Sequence, residues 1–126
     1  MNRRELLKNS LAYTLLLSSV QSVAKVQNEN NTDIQLMITF NIKKDKLSSF
    51  MEIIKEVKIA LPKVDGCKRV QIFQAKENQS TITFIETWEN VSKHKKHIEK
   101  VIDAGDWEYI SSHLTADPKS LYYYEI

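Results

Sequence analysis

A chain of 126 residues has room for one ordinary domain and excludes two. With 42% hydrophobic residues and eleven aromatics it can bury a core, which excludes wholesale disorder. Setting aside residues 1–24 leaves 15 basic residues (18 less 3) and 15 acidic ones (16 less 1), a neutral remainder without the basic field that nucleic-acid binding or attachment to an acidic membrane requires. A small neutral ligand or a protein partner fits that balance. The single cysteine, Cys67, rules out an intrachain disulfide, so a domain this small is expected to gain stability by oligomerisation.

The chain opens with Arg3, Arg4 and Lys8, then the apolar run Leu11 to Leu17, then Ser22-Val23-Ala24. A positive start, a short apolar stretch and a small-x-small site are the parts of a secretory signal. The adjacent arginines before Glu5-Leu6-Leu7-Lys8 resemble a twin-arginine export signal, with an ordinary Sec signal as the alternative. Cleavage is expected after Ala24, with a periplasmic or secreted destination and no stable membrane insertion, because the apolar run is too short to span a bilayer. Residues 25–33 are polar and aperiodic and read as a flexible tether.

Residues 34–126 form the expected domain. Ile34, Leu36, Ile38, Phe40 and Ile42 alternate with Gln35, Met37, Thr39 and Asn41, the pattern of a half-buried strand. Asp45, or Ser49 in a capping box with Glu52, is expected to start a helix carrying Leu47, Phe50, Met51, Ile54, Val57 and Leu61, which Pro62 stops. Asp65-Gly66 supplies a turn. Val70–Ala75 and Ile82–Trp88, joined by Lys76 to Ser80, suit an antiparallel hairpin. Asn90 can cap a second helix with Val91, His94, Ile98, Val101 and Ile102 on one face. Residues 104–114 read as a further short helix, and Leu121 to Ile126 as a last strand. The order β-α-β-β-α-β is the ferredoxin-like α+β arrangement, an antiparallel four-stranded sheet with helices on one face. Its other face still carries apolar side chains and calls for a second copy of the chain.

Chemistry-bearing residues cluster in the second half. Glu86 shares a strand face with Ile82, Phe84 and Trp88, and a carboxylate among such neighbours must be hydrogen-bonded or lie near the strand's open end. Its plainest role is an ion pair, with Arg69 as the candidate partner, and the alternative is a proton-transfer group. Trp88 reads as a core aromatic or a pocket wall that stacks on a flat substrate. His97 lies at the edge of the apolar helix face, as a proton acceptor or as one more surface residue of the run Lys93 to His97. His94 lies inside that face, as a core or pocket-lining residue. The two histidines are three apart, but no acidic or cysteine ligand is evident beside them, so no metal is expected. Only two glycines occur, which excludes a glycine-rich phosphate loop; no flavin or nucleotide cofactor is expected. Alternate tyrosines among Tyr122, Tyr123 and Tyr124 point to opposite faces, so at most two can share a site. Cys67 reads as a small packing residue.

The segment Phe84-Ile85-Glu86-Thr87-Trp88-Glu89-Asn90 followed by His97, with Pro62 to Cys67 entering the second strand, resembles the antibiotic biosynthesis monooxygenase (ABM) family over residues 34–126. That resemblance implies a dimeric α+β barrel with a pocket in each subunit between sheet and helices. It also implies a cofactor-independent monooxygenase acting on a small phenolic or quinol compound, with a non-catalytic dimeric module binding a small aromatic ligand as the alternative. His97 and Glu86 would handle protons, and Asn41, Trp88, His94, Trp107 and Tyr109 would contact the substrate. The family's haem degraders carry a tryptophan where this chain has His97 and a histidine near Trp107, so haem degradation is not expected. Some quinone-forming members carry an asparagine near the position of Phe84, so their particular mechanism is not carried over.

Overall fold

The computed structural model describes residues 33–126; the expected signal segment, and the tether up to residue 32, lie outside the described residues. Strand β1 (Ile34–Asn41) alternates buried and more exposed side chains along its whole length, as its period of two requires. A short 3₁₀ turn (Lys44–Lys46) leads into helix α1 (Leu47–Ala60), which buries Phe50, Ile53 and Ile54. A second 3₁₀ turn, Leu61–Lys63, holds Pro62 in its first residues, where a missing N–H costs nothing. Strands β2 (Cys67–Gln74) and β3 (Thr81–Trp88) form the hairpin, with a bulge between Cys67 and Arg69. Helix α2 (Val91–Asp103) follows, then the six-residue α3 (Asp106–Ser111) and strand β4 (Lys119–Tyr123).

The sheet order is β2-β3-β1-β4 and every pairing is antiparallel, which is the ferredoxin-like topology. Two apolar clusters fill one side of it. The first joins Ile38, Phe40, Ile42, Ile82 and Phe84 to Phe50, Ile53 and Ile54 of α1. The second joins Ile34, Leu36 and Trp88 to Leu61, Cys67 and Val91. On the opposite side Met37, Phe73, Leu121 and Tyr123 remain 39–50% exposed. Among the described residues no helix is long and apolar enough to cross a membrane.

Local chemistry explains most of the boundaries. Asn90 is extended and its side chain accepts from the Lys93 amide at 2.9 Å, the expected cap of α2. Gly66 adopts φ +91°, and a Cβ there would lie 2.5 Å from Cβ of Lys93, so both the left-handed turn and the close approach to α2 require glycine. The Gly66 carbonyl also accepts from the Glu89 amide at 2.8 Å, and Lys93 pairs with Asp65 at 2.6 Å, fastening this turn to the start of α2.

Three expectations need correction. Ser49 caps nothing: α1 begins three residues earlier after Lys46, without a side-chain cap, and the Ser49 hydroxyl is engaged elsewhere. The strand expected over 70–75 already begins at Cys67, because the bulge lets the chain pair across the Lys68–Arg69 irregularity. The last strand starts at Lys119 and ends at Tyr123, so Tyr124 to Ile126 lie beyond it.

Candidate functional site

The antiparallel register sets Val70, Glu86, Leu36 and Tyr122 in one row across all four strands. The adjoining row holds Cys67, Trp88 and Ile34. Helix α2 packs over this end of the sheet because His94 and His97, three residues apart, lie on the same side of the helix. The ring of Trp88, fully buried, is 5.1 Å from that of His94 and 5.4 Å from that of His97.

Glu86 is 7% exposed, and its carboxylate accepts a 2.8 Å hydrogen bond from the Trp88 indole N–H. One neutral donor does not replace the water that a carboxylate loses on burial. Burial therefore raises its pKa from 4.5 to about 7, against the smaller lowering effect of the indole bond. At neutral pH this carboxyl is poised between its two states. Arg69 does not neutralise it: Arg69 pairs with Thr87 in the register, one position off Glu86, and its side chain is exposed. The negative charge of Glu86 reaches Cys67 and Tyr122, whose pKa values are raised first by burial and then by that charge.

His94 is 2% exposed, and its Nδ1 shares a 2.5 Å hydrogen bond with the Tyr122 hydroxyl. Burial lowers its pKa to about 3, with a further contribution from His97, so the His94–Tyr122 pair is uncharged at neutral pH. His97 is half-buried; burial first, and then the charge of Lys100, hold its pKa below 6.5. It is therefore a neutral imidazole at pH 7, able to take a proton. Around one indole the fold has gathered a carboxyl that titrates near neutrality, a neutral histidine and a neutral histidine–tyrosine pair. That arrangement can accept a proton and return it.

The other expected residues lie elsewhere. Asn41 occupies the opposite end of β1 and the opposite face of the sheet, where its side-chain oxygen accepts from Thr81 at 3.0 Å. Trp107 packs against the α1-side cluster. Tyr109 is 57% exposed, with its ring 4.8 Å from His113. Glu86, Trp88, His94 and His97 thus come together, whereas Asn41, Trp107 and Tyr109 do not join them. Tyr122 was legible only as one tyrosine of three; its parity with Leu36 across β1 and β4 is what selects it. His113, 3% exposed, carried no signal in the sequence. Among the described residues no three histidine, cysteine or acidic side chains gather as a metal-ligand set.

Comparison with known proteins agrees with this architecture. The family model of antibiotic biosynthesis monooxygenases matches residues 34–100. Among solved structures, a conserved protein from Methanosarcina mazei Go1 superposes with a TM-score of 0.68 at 21% identity, covering 76% of this chain and 95% of that one. A candidate antibiotic biosynthesis monooxygenase from Nitrosomonas europaea superposes with a TM-score of 0.69 at 14% identity, covering 78% and 94%. A protein from Shewanella oneidensis gives 0.65 at 14% identity, covering 76% and 93%. Among curated proteins none matches the chain. These structures share the fold alone, while the family model spans more than half of the sequence and includes the Glu86-to-His97 segment. The chain belongs to the antibiotic biosynthesis monooxygenase family.

Proposed function

We propose that this domain is a cofactor-independent monooxygenase that converts a small phenol or quinol to a quinone with dioxygen. One observation supports the reading above the others: a buried carboxyl with a pKa of about 7 and a neutral histidine flank the same buried indole. His97 takes the phenolic proton, and the phenolate then supplies the electrons. One electron passes to dioxygen, and the two radicals recombine into a carbon-bound peroxide. Loss of the ring C–H proton and cleavage of the O–O bond leave one oxygen as the new carbonyl and release the other as water. Glu86 supplies or accepts the proton in that last step, and Trp88 forms the wall along which the ring lies.

The reading includes two further parts. The exposed Met37 and Leu121, in one row with the half-buried Ile85 and with exposed Tyr123 and Phe73 near it, support a homodimer formed through the open face of the sheet. Arg3-Arg4 and the apolar run that follows support export to the periplasm or beyond.

Oxygen uptake by the purified protein with a panel of hydroquinones and naphthalenediols tests the reading. Protein-dependent uptake that falls by about 100-fold or more in His97→Ala, with folding retained, is the expected result. No uptake across the panel, with saturable binding of the same compounds by the folded protein, would replace the enzyme by a non-catalytic module for small aromatic ligands.

A further inference from the structure

A second cluster lies away from the Trp88 site and takes no part in the chemistry above. Nε2 of His113 is 2.8 Å from the hydroxyl of Ser49, across 64 residues of sequence. Nδ1 of the same ring is 2.8 Å from the backbone carbonyl of Tyr109. A carbonyl oxygen only accepts, so Nδ1 carries the hydrogen. Ser112 agrees: its hydroxyl donates to the Tyr109 carbonyl at 2.6 Å, and at 3.3 Å from Nδ1 it is left to accept. In the neutral ring Nε2 is then a bare lone pair, and the bond to Ser49 is donated by the serine. The ring is held from both sides, 6.0 Å from that of Phe50 and 4.8 Å from that of Tyr109. The hydroxyl of Tyr109 lies 3.4 Å from the Ser49 oxygen and belongs to a side chain that is 57% exposed. The base is buried and oriented, the serine is half-buried, and a phenolic donor stands on the solvent side.

We propose that Ser49 and His113 form a nucleophilic dyad that cleaves small carboxylic esters, with Tyr109 as hydrogen-bond donor to the developing oxyanion. An oriented imidazole accepting from a serine, and itself fixed through its other nitrogen, is the geometry that activates a hydroxyl. The Ser49 oxygen attacks the ester carbonyl carbon and its proton passes to Nε2 of His113. The tetrahedral adduct collapses by breaking the bond to the alcohol oxygen, which leaves with the proton from Nε2. Water repeats the sequence on the acyl-serine: the histidine takes its proton, the acid departs, and Ser49 is restored. Ester and water give acid and alcohol, with no oxidant required.

The test uses an alkyl fluorophosphonate on the full chain, with peptide mass spectrometry to locate and time the adduct. Ser48 is exposed and adjacent, whereas the hydrogen bond to His113 is made by Ser49, so Ser48 is the internal standard within one peptide. Modification of Ser49 at least about 100-fold faster than of Ser48 is expected, since general-base assistance is worth about that much or more. The rate should fall toward that of Ser48 in His113→Asn, and p-nitrophenyl acetate hydrolysis should be lost in Ser49→Ala. Tyr109→Phe, at an exposed position, should slow labelling without altering the circular dichroism spectrum. Equal labelling of Ser48 and Ser49 in the native protein would overturn the dyad, whether or not the His113 variant folds. So would labelling of Ser49 that is unchanged in folded His113→Asn.

Discussion

Replacing Glu86 by glutamine keeps the shape of the side chain and an oxygen that can accept from the Trp88 indole, while removing the titration. In the native protein the carboxyl holds its proton up to about pH 7, whereas in the unfolded chain it releases it near 4.5. Between those values the folded state binds more protons, so stability falls as pH rises through that window and levels off above it. The gap corresponds to about 3 kcal/mol, at about 1.4 kcal/mol for each pH unit. His94 works in the opposite sense: its folded pKa is depressed from 6.5 to about 3, so its contribution is complete above 6.5 and is lost as pH falls. The two slopes oppose each other between pH 4.5 and 6.5, and the native protein should show a broad plateau there. In Glu86→Gln the opposing slope is gone while those of His94 and His97, both depressed by burial, remain, so stability should climb with pH across the same interval. Urea unfolding followed by circular dichroism, at steps from about pH 4.5 to 8.5, measures both curves. The variant should gain on the native protein by about 3 kcal/mol between the ends of that range. A constant offset at every pH would refute the assignment of a buried, proton-holding Glu86.

Other substitutions test separate links. Tyr122→Phe removes the partner of a buried imidazole nitrogen and should cost about 1–3 kcal/mol in denaturant unfolding, with no comparable loss from Tyr123→Phe at the exposed neighbouring position. Gly66→Ala should cost about 1–3 kcal/mol and lower the thermal midpoint, because a Cβ at φ +91° also meets Lys93. Leu121→Asp on the open sheet face should weaken the proposed homodimer by about 30-fold in sedimentation equilibrium, leaving the circular dichroism spectrum unchanged; a monomeric native protein, or an unaffected association constant, would overturn that interface.

Much of the fold was legible because its signals are local. The alternation in β1, the proline after α1, the turn at Gly66 and the cap at Asn90 each depend on neighbours a few residues away. Glu86 and Trp88 were legible as a pair for the same reason, since a period of two puts both on one face. Their partners were not. Tyr122 meets His94 from 28 residues away, and Ser49 meets His113 from 64, through strand register and helix placement that no local pattern encodes. Ser49 illustrates the conflict: Ser-x-x-Glu is a capping signal, yet the helix starts at Leu47 and leaves the hydroxyl free to turn toward His113. Asn41 illustrates another, because strand parity already set it on the face away from Glu86, and only the resemblance drew it toward the site.

The central claim is that this site inserts a single oxygen atom from dioxygen into a phenolic ring, using the substrate's own electrons. Mass spectrometry of the product formed under ¹⁸O₂ by chelator-treated protein measures that directly. The account predicts a quinone carrying one ¹⁸O atom, the second appearing in water, with formation abolished in His97→Ala and retarded in Glu86→Gln. A quinone without ¹⁸O, or label incorporated equally by folded His97→Ala, would contradict it.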